Sequence, residues 1–382
     1  MLRVLQVTTD TDRRGGQMFA MDLGGGLDAL GHDVRTVALT RGTVGGLPLD
    51  ALGPSRWHPR TLAMLRAAIR DADVVVGHGS TTLPTCAIAA AGTGVPFVYR
   101  QISDSHFWAN TAARRLRVRA GLRRAHRVVA LWRGAAEVLV RDFGVSADRV
   151  VRIPNAVPVD RFAVPSASER IAARAAVGLD ADDLVVAFVG ALVPEKGVDL
   201  AIDALAHRDD VTLLIAGDGD ARPALTHQAR RRSCRVRFLG SVEKPTDVYS
   251  AADVVVLPSR GGDSMPATLI EAGMMGIPVV TTDVGAIADI VSDGVSGLVV
   301  APDDLEGLRS ALDRVCGDVS VRVRFGHQAR EWCVERFSID AVATSWSNLL
   351  RSAVRPGTLG RPTPVVHTLR GGDVAANDGP VR

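Results

Sequence analysis

Lysine is almost missing from this chain of 382 residues, which carries 45 basic residues of which only Lys196 and Lys244 are lysines. Cysteine is sparse as well. Cys86, Cys234, Cys316 and Cys333 show neither Cys-x-x-Cys spacing nor pairing with histidine, so neither a disulfide framework nor a zinc site is indicated and small core residues are expected. No apolar run reaches the roughly 18 residues of a membrane span. The opening MLRVLQVTTD turns polar too soon for a signal peptide. A cytoplasmic location is expected from this, extending to the inner face of the membrane. The first apolar segment runs into Thr8-Thr9-Asp10-Thr11-Asp12-Arg13 with no Gly-x-Gly-x-x-Gly, and Gly217-Asp218-Gly219 lacks a third glycine, which argues against a nicotinamide-dependent oxidoreductase. Aromatic residues make up 4% of the chain and form no platform beside basic residues, so nucleic acid is not an expected partner.

What is present is enough apolar sequence, 47%, to bury two cores of ordinary size. Strands and helices alternate. Leu2–Thr8, Asp33–Leu39, Asp73–Gly77, Pro96–Arg100, Arg127–Leu131 and Arg149–Ile153 read as one set of strands. Leu184–Val189, Val211–Ala216, Val236–Leu239, Asp253–Leu257, Pro278–Thr281 and Gly297–Val300 read as a second. Strands separated by helices make parallel sheets, so an α/β protein with two Rossmann-like domains is expected, with a ligand in the cleft at the carboxyl ends of the strands. The expected division is 1–162 for an N-terminal Rossmann-like domain and 163–335 for a C-terminal Rossmann-like domain. A helix over 336–354 is expected to pack back toward the first domain, and 355–382, rich in Pro, Gly and polar residues, reads as a disordered tail. The linker is placed at 161–183, leading into a helix near Ser168–Val177.

Charge is uneven. Residues 1–164 hold 22 Arg and 13 acids, a balance of +9, and the remainder is −6. Much of the excess lies at Arg114, Arg115, Arg117, Arg119, Arg123, Arg124 and Arg127, on a segment that reads as a helix. A basic face over 114–127 suits an anionic membrane surface or a phosphate-bearing acceptor, and equally a merely solvated helix.

The most informative stretch is Leu257 to Gly285. It reads as the end of a buried strand, a polar loop over Ser259–Ser264, a helix opening at Pro266 and a second apolar strand. A strand-to-helix loop leaves backbone N–H groups unpaired, and with the helix dipole these attract phosphate. Ser264 is the expected N-cap, with Pro266 in the first turn. Two carboxylates, Asp263 and Glu271, would repel phosphate alone; they suit a ligand whose phosphates are flanked by sugar hydroxyls. Lys196, just before Gly197, stands out where arginine is otherwise the rule and points to a need for a compact ammonium. Gly15-Gly16 reads as a loop that passes close to something.

Pro258-Ser259, Asp263, Glu271, Gly276-Ile277-Pro278-Val279-Val280 and Thr282 to Gly285 together resemble the nucleotide-sugar site of retaining GT-B glycosyltransferases of family 4. Phe188-Val189-Gly190 to Glu195-Lys196-Gly197, Ala216 to Gly219, Phe238-Leu239-Gly240, Ala251-Ala252-Asp253 and Ile153-Pro154-Asn155 extend the likeness in order over most of residues 1–350. The resemblance implies a GT-B fold and transfer of a sugar from a nucleoside diphosphate sugar to a glycan, a lipid-linked acceptor or a small molecule. It implies that Gly15 and Gly16 approach the donor phosphates. Lys196 would neutralise the diphosphate, Asp263 would hold a donor-sugar hydroxyl, and Glu271 would hold the ribose. The N–H groups near Ser264, Met265 and Pro266 would bind the diphosphate. No cofactor or metal is expected, since dipole and ammonium do the neutralising.

His106, beside Asp104, is the candidate for acceptor chemistry, with His78 second. Ala191 stands where many relatives have Arg, so either another basic residue such as Arg260 substitutes or activity is weakened. Asp263 replaces a usual Glu, Ala156 replaces the glycine of Asn-Gly, and Ala286 replaces the second glycine of a pair. These departures keep two alternatives in view, a catalytically weak sugar-nucleotide-binding subunit and a nucleotide-sugar epimerase.

Overall fold

The structure is a computed structural model that describes residues 1–43, 46–103, 109 and 111–354. Thirteen strands lie among these residues. They are β1 Arg3–Thr8, β2 Asp33–Ala38, β3 Asp50–Ala51, β4 Val74–His78, β5 Phe97–Arg100, β6 Arg127–Ala130, β7 Val150–Arg152, β8 Leu184–Val189, β9 Val211–Ala216, β10 Val236–Gly240, β11 Val254–Leu257, β12 Val279–Thr282 and β13 Gly297–Val300. They form two sheets, ordered β3-β2-β1-β4-β5-β6-β7 and β10-β9-β8-β11-β12-β13, and every pairing within them is parallel. Parallel sheets are covered by helices on both faces, so their central strands are buried on both sides. All five residues of β4 and all six of β9 are buried. This is why the central strands read as unbroken apolar runs. The two-residue edge strand β3 carries no such run and was invisible to that reading.

Both sheets reverse their winding at one place, between β1 and β4 in the first and between β8 and β11 in the second. A crevice opens outside the strand ends at such a reversal because the neighbouring loops leave in opposite directions. In the second lobe those loops are 190–197 and 258–266, the two that carry Lys196 and Asp263. In the first lobe they are the loop entering helix Gly15–Ala29 and the loop entering helix Thr82–Ala89.

The chain leaves the first lobe near Ile153 and returns at Ser338. The two crossings run side by side, with the Val157 N–H donating to Phe337 O at 3.0 Å and the Ile339 N–H donating to Val157 O at 3.0 Å. Helix Ile339–Val354 then packs on the first lobe. Its Trp346 is fully buried in one core with Val4, Phe19, Val76 and Val98, and Gly26 of helix Gly15–Ala29 lies against Ala343. Truncating a buried tryptophan of this kind costs about 3–5 kcal/mol. Helix Ala167–Ala176 begins one residue before its expected start, because Ser166 and Glu169 form a reciprocal capping box. Residues 355–382, Asp104 and His106 lie outside the described residues.

Candidate functional site

The second-lobe crevice is built from three strand ends. After β8 the chain makes a short 3-10 turn, Pro194–Lys196, and Gly197 follows with φ +64°. A Cβ on Gly197 would stand 2.0 Å from the carbonyl oxygen of Pro258, so only glycine lets this loop lie against the one after β11. That contact delivers Lys196 to Asp263. The ammonium pairs with Asp263 Oδ1, and Ser259 Oγ donates to Oδ2 at 2.5 Å. The loop after β12 supports them from behind. Gly285, at φ +63°, presses on the Asp263 carbonyl, and the Ala286 N–H donates to Ser264 O at 2.8 Å. Ala286 itself sits at φ −98°, an ordinary conformation, so replacing a glycine there imposes no strain.

Helix Ala267–Met274 opens behind this pair. The residue at its N-cap is Pro266, in extended conformation, and no side chain caps the end. The expectation of Ser264 as N-cap is corrected: Ser264 lies two residues earlier, buried, with its carbonyl engaged by Ala286. Proline fixes its own φ near −65° and has no N–H to lose, and here its ψ of 120° keeps it outside the helix. The consequence is a helix start at which no side-chain oxygen caps the first N–H groups.

Glu271 stands on the next turn of that helix and accepts a hydrogen bond from the buried hydroxyl of Tyr249 at 2.7 Å. Burial pushes the Glu271 carboxyl above its usual range, opposed by that hydrogen bond and by the charge of Arg161. Arg161 grips Asp22 of helix Gly15–Ala29 with both nitrogens, at 2.8 and 2.6 Å. Burial likewise raises Asp22 despite this partner. The helix that Gly15 and Gly16 open is thereby tied, through Asp22, to the neighbourhood of Glu271.

On the first-lobe side, Gly16 lies against Ile102, where an added Cβ would meet its Cδ1 at 2.9 Å, while Gly15 faces open space. A cavity of about 180 Å³ at the ends of β1 and β4 is lined by Thr8, Gly16, His78, Gly79, Thr81 and Ser103 among others. His78 is fully committed. Its Nε2 meets Gln6 Oε1 at 2.9 Å, which makes Nε2 the donor, and Nδ1 faces the Arg100 guanidinium at 3.5 Å. Burial, then Arg100, holds its pKa well below the usual value, so the ring is neutral.

Arg260 does not substitute for the arginine missing at Ala191. Its guanidinium is spent on Asp199, at 2.7 Å to both oxygens, on Asp303 at 2.6 Å and on Pro194 O at 2.9 Å. Its own N–H donates to Glu195 O at 2.7 Å. Arg260 therefore braces the turn that carries Lys196 and faces away from a phosphate role. Ala191 is exposed and leaves its place open. Two residues escaped the sequence reading, Tyr249 and Arg100, and Asn155 entered it only within a motif. Tyr249 reads as an ordinary apolar helix position, and Asn155 had a signal only as part of Ile153-Pro154-Asn155.

Two family models match the chain: one described as Glycosyl transferases group 1 over residues 183–318, and one described as Glycosyltransferase Family 4 over residues 13–161. A D-inositol 3-phosphate glycosyltransferase of Xylanimonas cellulosilytica is 32% identical over 60% of this chain and 57% of its own length. An alpha-D-kanosaminyltransferase of Streptomyces kanamyceticus is 31% identical over 61% of this chain and 62% of its own. The matched region thus spans less than two thirds of these curated relatives. Among solved structures, HepE of Anabaena in complex with UDP and glucose superposes with a TM-score of 0.81 at 20% identity, covering 92% of this chain and 100% of that one. WaaG, a glycosyltransferase involved in lipopolysaccharide biosynthesis, superposes with a TM-score of 0.72 at 21% identity, covering 91% and 99%. The fold is GT-B.

Proposed function

The chain belongs to the group 1 glycosyltransferases of family 4, and from that premise we propose that it moves a sugar from a nucleoside diphosphate sugar to an acceptor hydroxyl with retention at the anomeric carbon. The observation that carries this reading is the meeting of Lys196 and Asp263 beside the uncapped start of helix Ala267–Met274, with Glu271 one turn further on. The N–H groups near Met265 and Pro266 and the Lys196 ammonium face the diphosphate, where negative charge grows as the glycosidic bond breaks. Asp263 accepts from a hydroxyl of the donor sugar. Glu271 keeps one oxygen on Tyr249 and offers the other to the ribose. The anomeric carbon–oxygen bond breaks toward the diphosphate, the acceptor oxygen bonds on the same face, and its proton passes to a departing phosphate oxygen. The relative in complex with UDP and glucose supports UDP as the first donor nucleotide to test.

The acceptor is assigned to the first-lobe cavity, whose Thr8, Thr81 and Ser103 suit a hydroxyl-rich molecule such as a cyclitol or glycoside. Among the described residues no helix is long and apolar enough to cross a membrane. A peripheral approach to anionic lipid is assigned to helix Ala112–Arg124, whose Arg117, Arg119, Arg123 and Arg124 are exposed. Release of nucleoside diphosphate from UDP-, GDP-, ADP- and TDP-sugars, with cyclitol, glycoside and lipid acceptors, tests the reading. Turnover of one donor is expected. Binding without turnover would make the chain a sugar-nucleotide-binding subunit, and absence of both would overturn the proposal.

A further inference from the structure

At the boundary between the lobes, one amide side chain joins a buried charge to the donor loop. Arg100 ends β5 at 1% exposure, stacked 3.7 Å over the ring of Phe19. Among the described residues no carboxylate pairs with it, and its Nε has no hydrogen-bond partner. A buried guanidinium without a counter-charge is costly, and its remaining hydrogen bonds therefore hold it in one place. Burial brings its pKa down to about 9, which still leaves it charged at neutral pH. Its NH2 donates to Oδ1 of Asn155, in the segment where the chain leaves the first lobe. From the other end of that same amide, Nδ2 donates to the carbonyl oxygen of Met265 at 2.6 Å, while the Asn155 backbone N–H faces Met265 Sδ at 3.1 Å.

We infer that Asn155 is a positioning residue through which Arg100 of the first lobe sets the Met265 carbonyl and, through it, the uncapped helix start that receives the donor diphosphate. The inference rests on the proposed function for its ligand but stands on geometry of its own. An asparagine amide accepts and donates from one rigid plane, and no other side chain of this length does both. An aspartate would satisfy Arg100 better while turning an oxygen toward the Met265 oxygen. A leucine would satisfy neither. Met265 immediately precedes Pro266, whose ring restricts the residue before it, so a shift of the Met265 carbonyl carries directly into the helix start.

Asn155→Asp in the full chain separates a positioning role from a structural one. The expected result is a melting temperature unchanged or raised, because Arg100 gains a counter-charge. Amide exchange over residues 264–268 should rise, UDP affinity should fall about tenfold, the loss of one charge-assisted contact, and the acceptor KM should stay unchanged. A drop in melting temperature, or unchanged exchange together with unchanged UDP affinity, would overturn the inference. If the wild-type chain binds none of UDP, GDP, ADP and TDP, the proposed function fails instead, and the exchange comparison still decides whether Asn155 holds the loop.

Discussion

Lys196 and Asp263 form an ion pair between two adjacent strand-end loops, with Ser259 occupying the second carboxylate oxygen. Both side chains keep some exposure, 22% and 11%. The pair is therefore reachable from solvent, and a ligand that brings phosphate to Lys196 frees an Asp263 oxygen for a sugar hydroxyl in the same motion.

Lys196→Met is expected to lower kcat by about 10²–10³-fold, the loss that follows removal of one preorganised donor to developing charge. Lys196→Arg should restore little, because the planar fork cannot take the place of a compact ammonium against Asp263. Steady-state kinetics at saturating donor measures both; wild-type kcat in Lys196→Met would remove Lys196 from the chemistry.

Glu271→Gln should leave the melting temperature unchanged or raise it, since Tyr249 can still donate to the amide oxygen, while donor affinity falls by about 10–100-fold. The pH dependence follows from burial. The folded carboxyl titrates above its unfolded value of 4.5. Ionised Glu271 thus costs stability at neutral pH. That cost is relieved as pH falls through the raised value and is gone below 4.5. Donor binding should run the opposite way, weakening over the same descent. Titration calorimetry across pH 4–8 on wild type and Glu271→Gln checks the sign, and a donor affinity flat in pH would contradict it.

Ala191→Arg returns a cation to an exposed, unfilled position at the end of β8. Donor affinity is expected to rise about tenfold, as for a new charge-assisted contact to phosphate. Unchanged affinity would place the diphosphate away from this strand end.

Arg260→Met removes the brace from the Lys196 turn. Exposed ion pairs contribute about 0–1 kcal/mol each, so stability should fall little. The positional effect should be larger, with kcat reduced at nearly constant melting temperature, and Arg260→Lys should not rescue it because one ammonium cannot span Asp199, Asp303 and Pro194 O together. A parallel loss of stability and activity would make Arg260 a purely structural residue.

Strands were legible because parallel sheets leave apolar runs: the central Leu184–Val189 and Val211–Ala216 and the edge strand Gly297–Val300 agree at both ends with the structure. The GT-B fold was legible from the order of short motifs rather than from any one of them. Local caps were less so. Ser166 was passed over as a cap, and Ser264 was given a cap it does not form, because the choice between competing N–H and carbonyl partners is made by the neighbouring Ala286 loop. Arg260 shows the same limit more sharply. Its charge and position were visible, but its commitment to Asp199 and Asp303 depends on residues 61 and 43 positions away. Tyr249 and the partners of Asn155 were unreadable for a related reason, since Tyr249 acts through one hydroxyl and Asn155 through both ends of its amide, each against a distant partner.

The returning helix Ile339–Val354 sets an order of events at birth. Residues 167–337, which supply most of the second lobe's core, are all made before Trp346, the side chain that closes the first lobe's core beside His78. A ribosome adding residues from the N-terminus thus supplies the last piece of the first core only after the residues of the second lobe have been made. In the folded chain it is this late helix, through Val342, Trp346 and Leu350, that covers the apolar face of Val4, Phe19 and Val76.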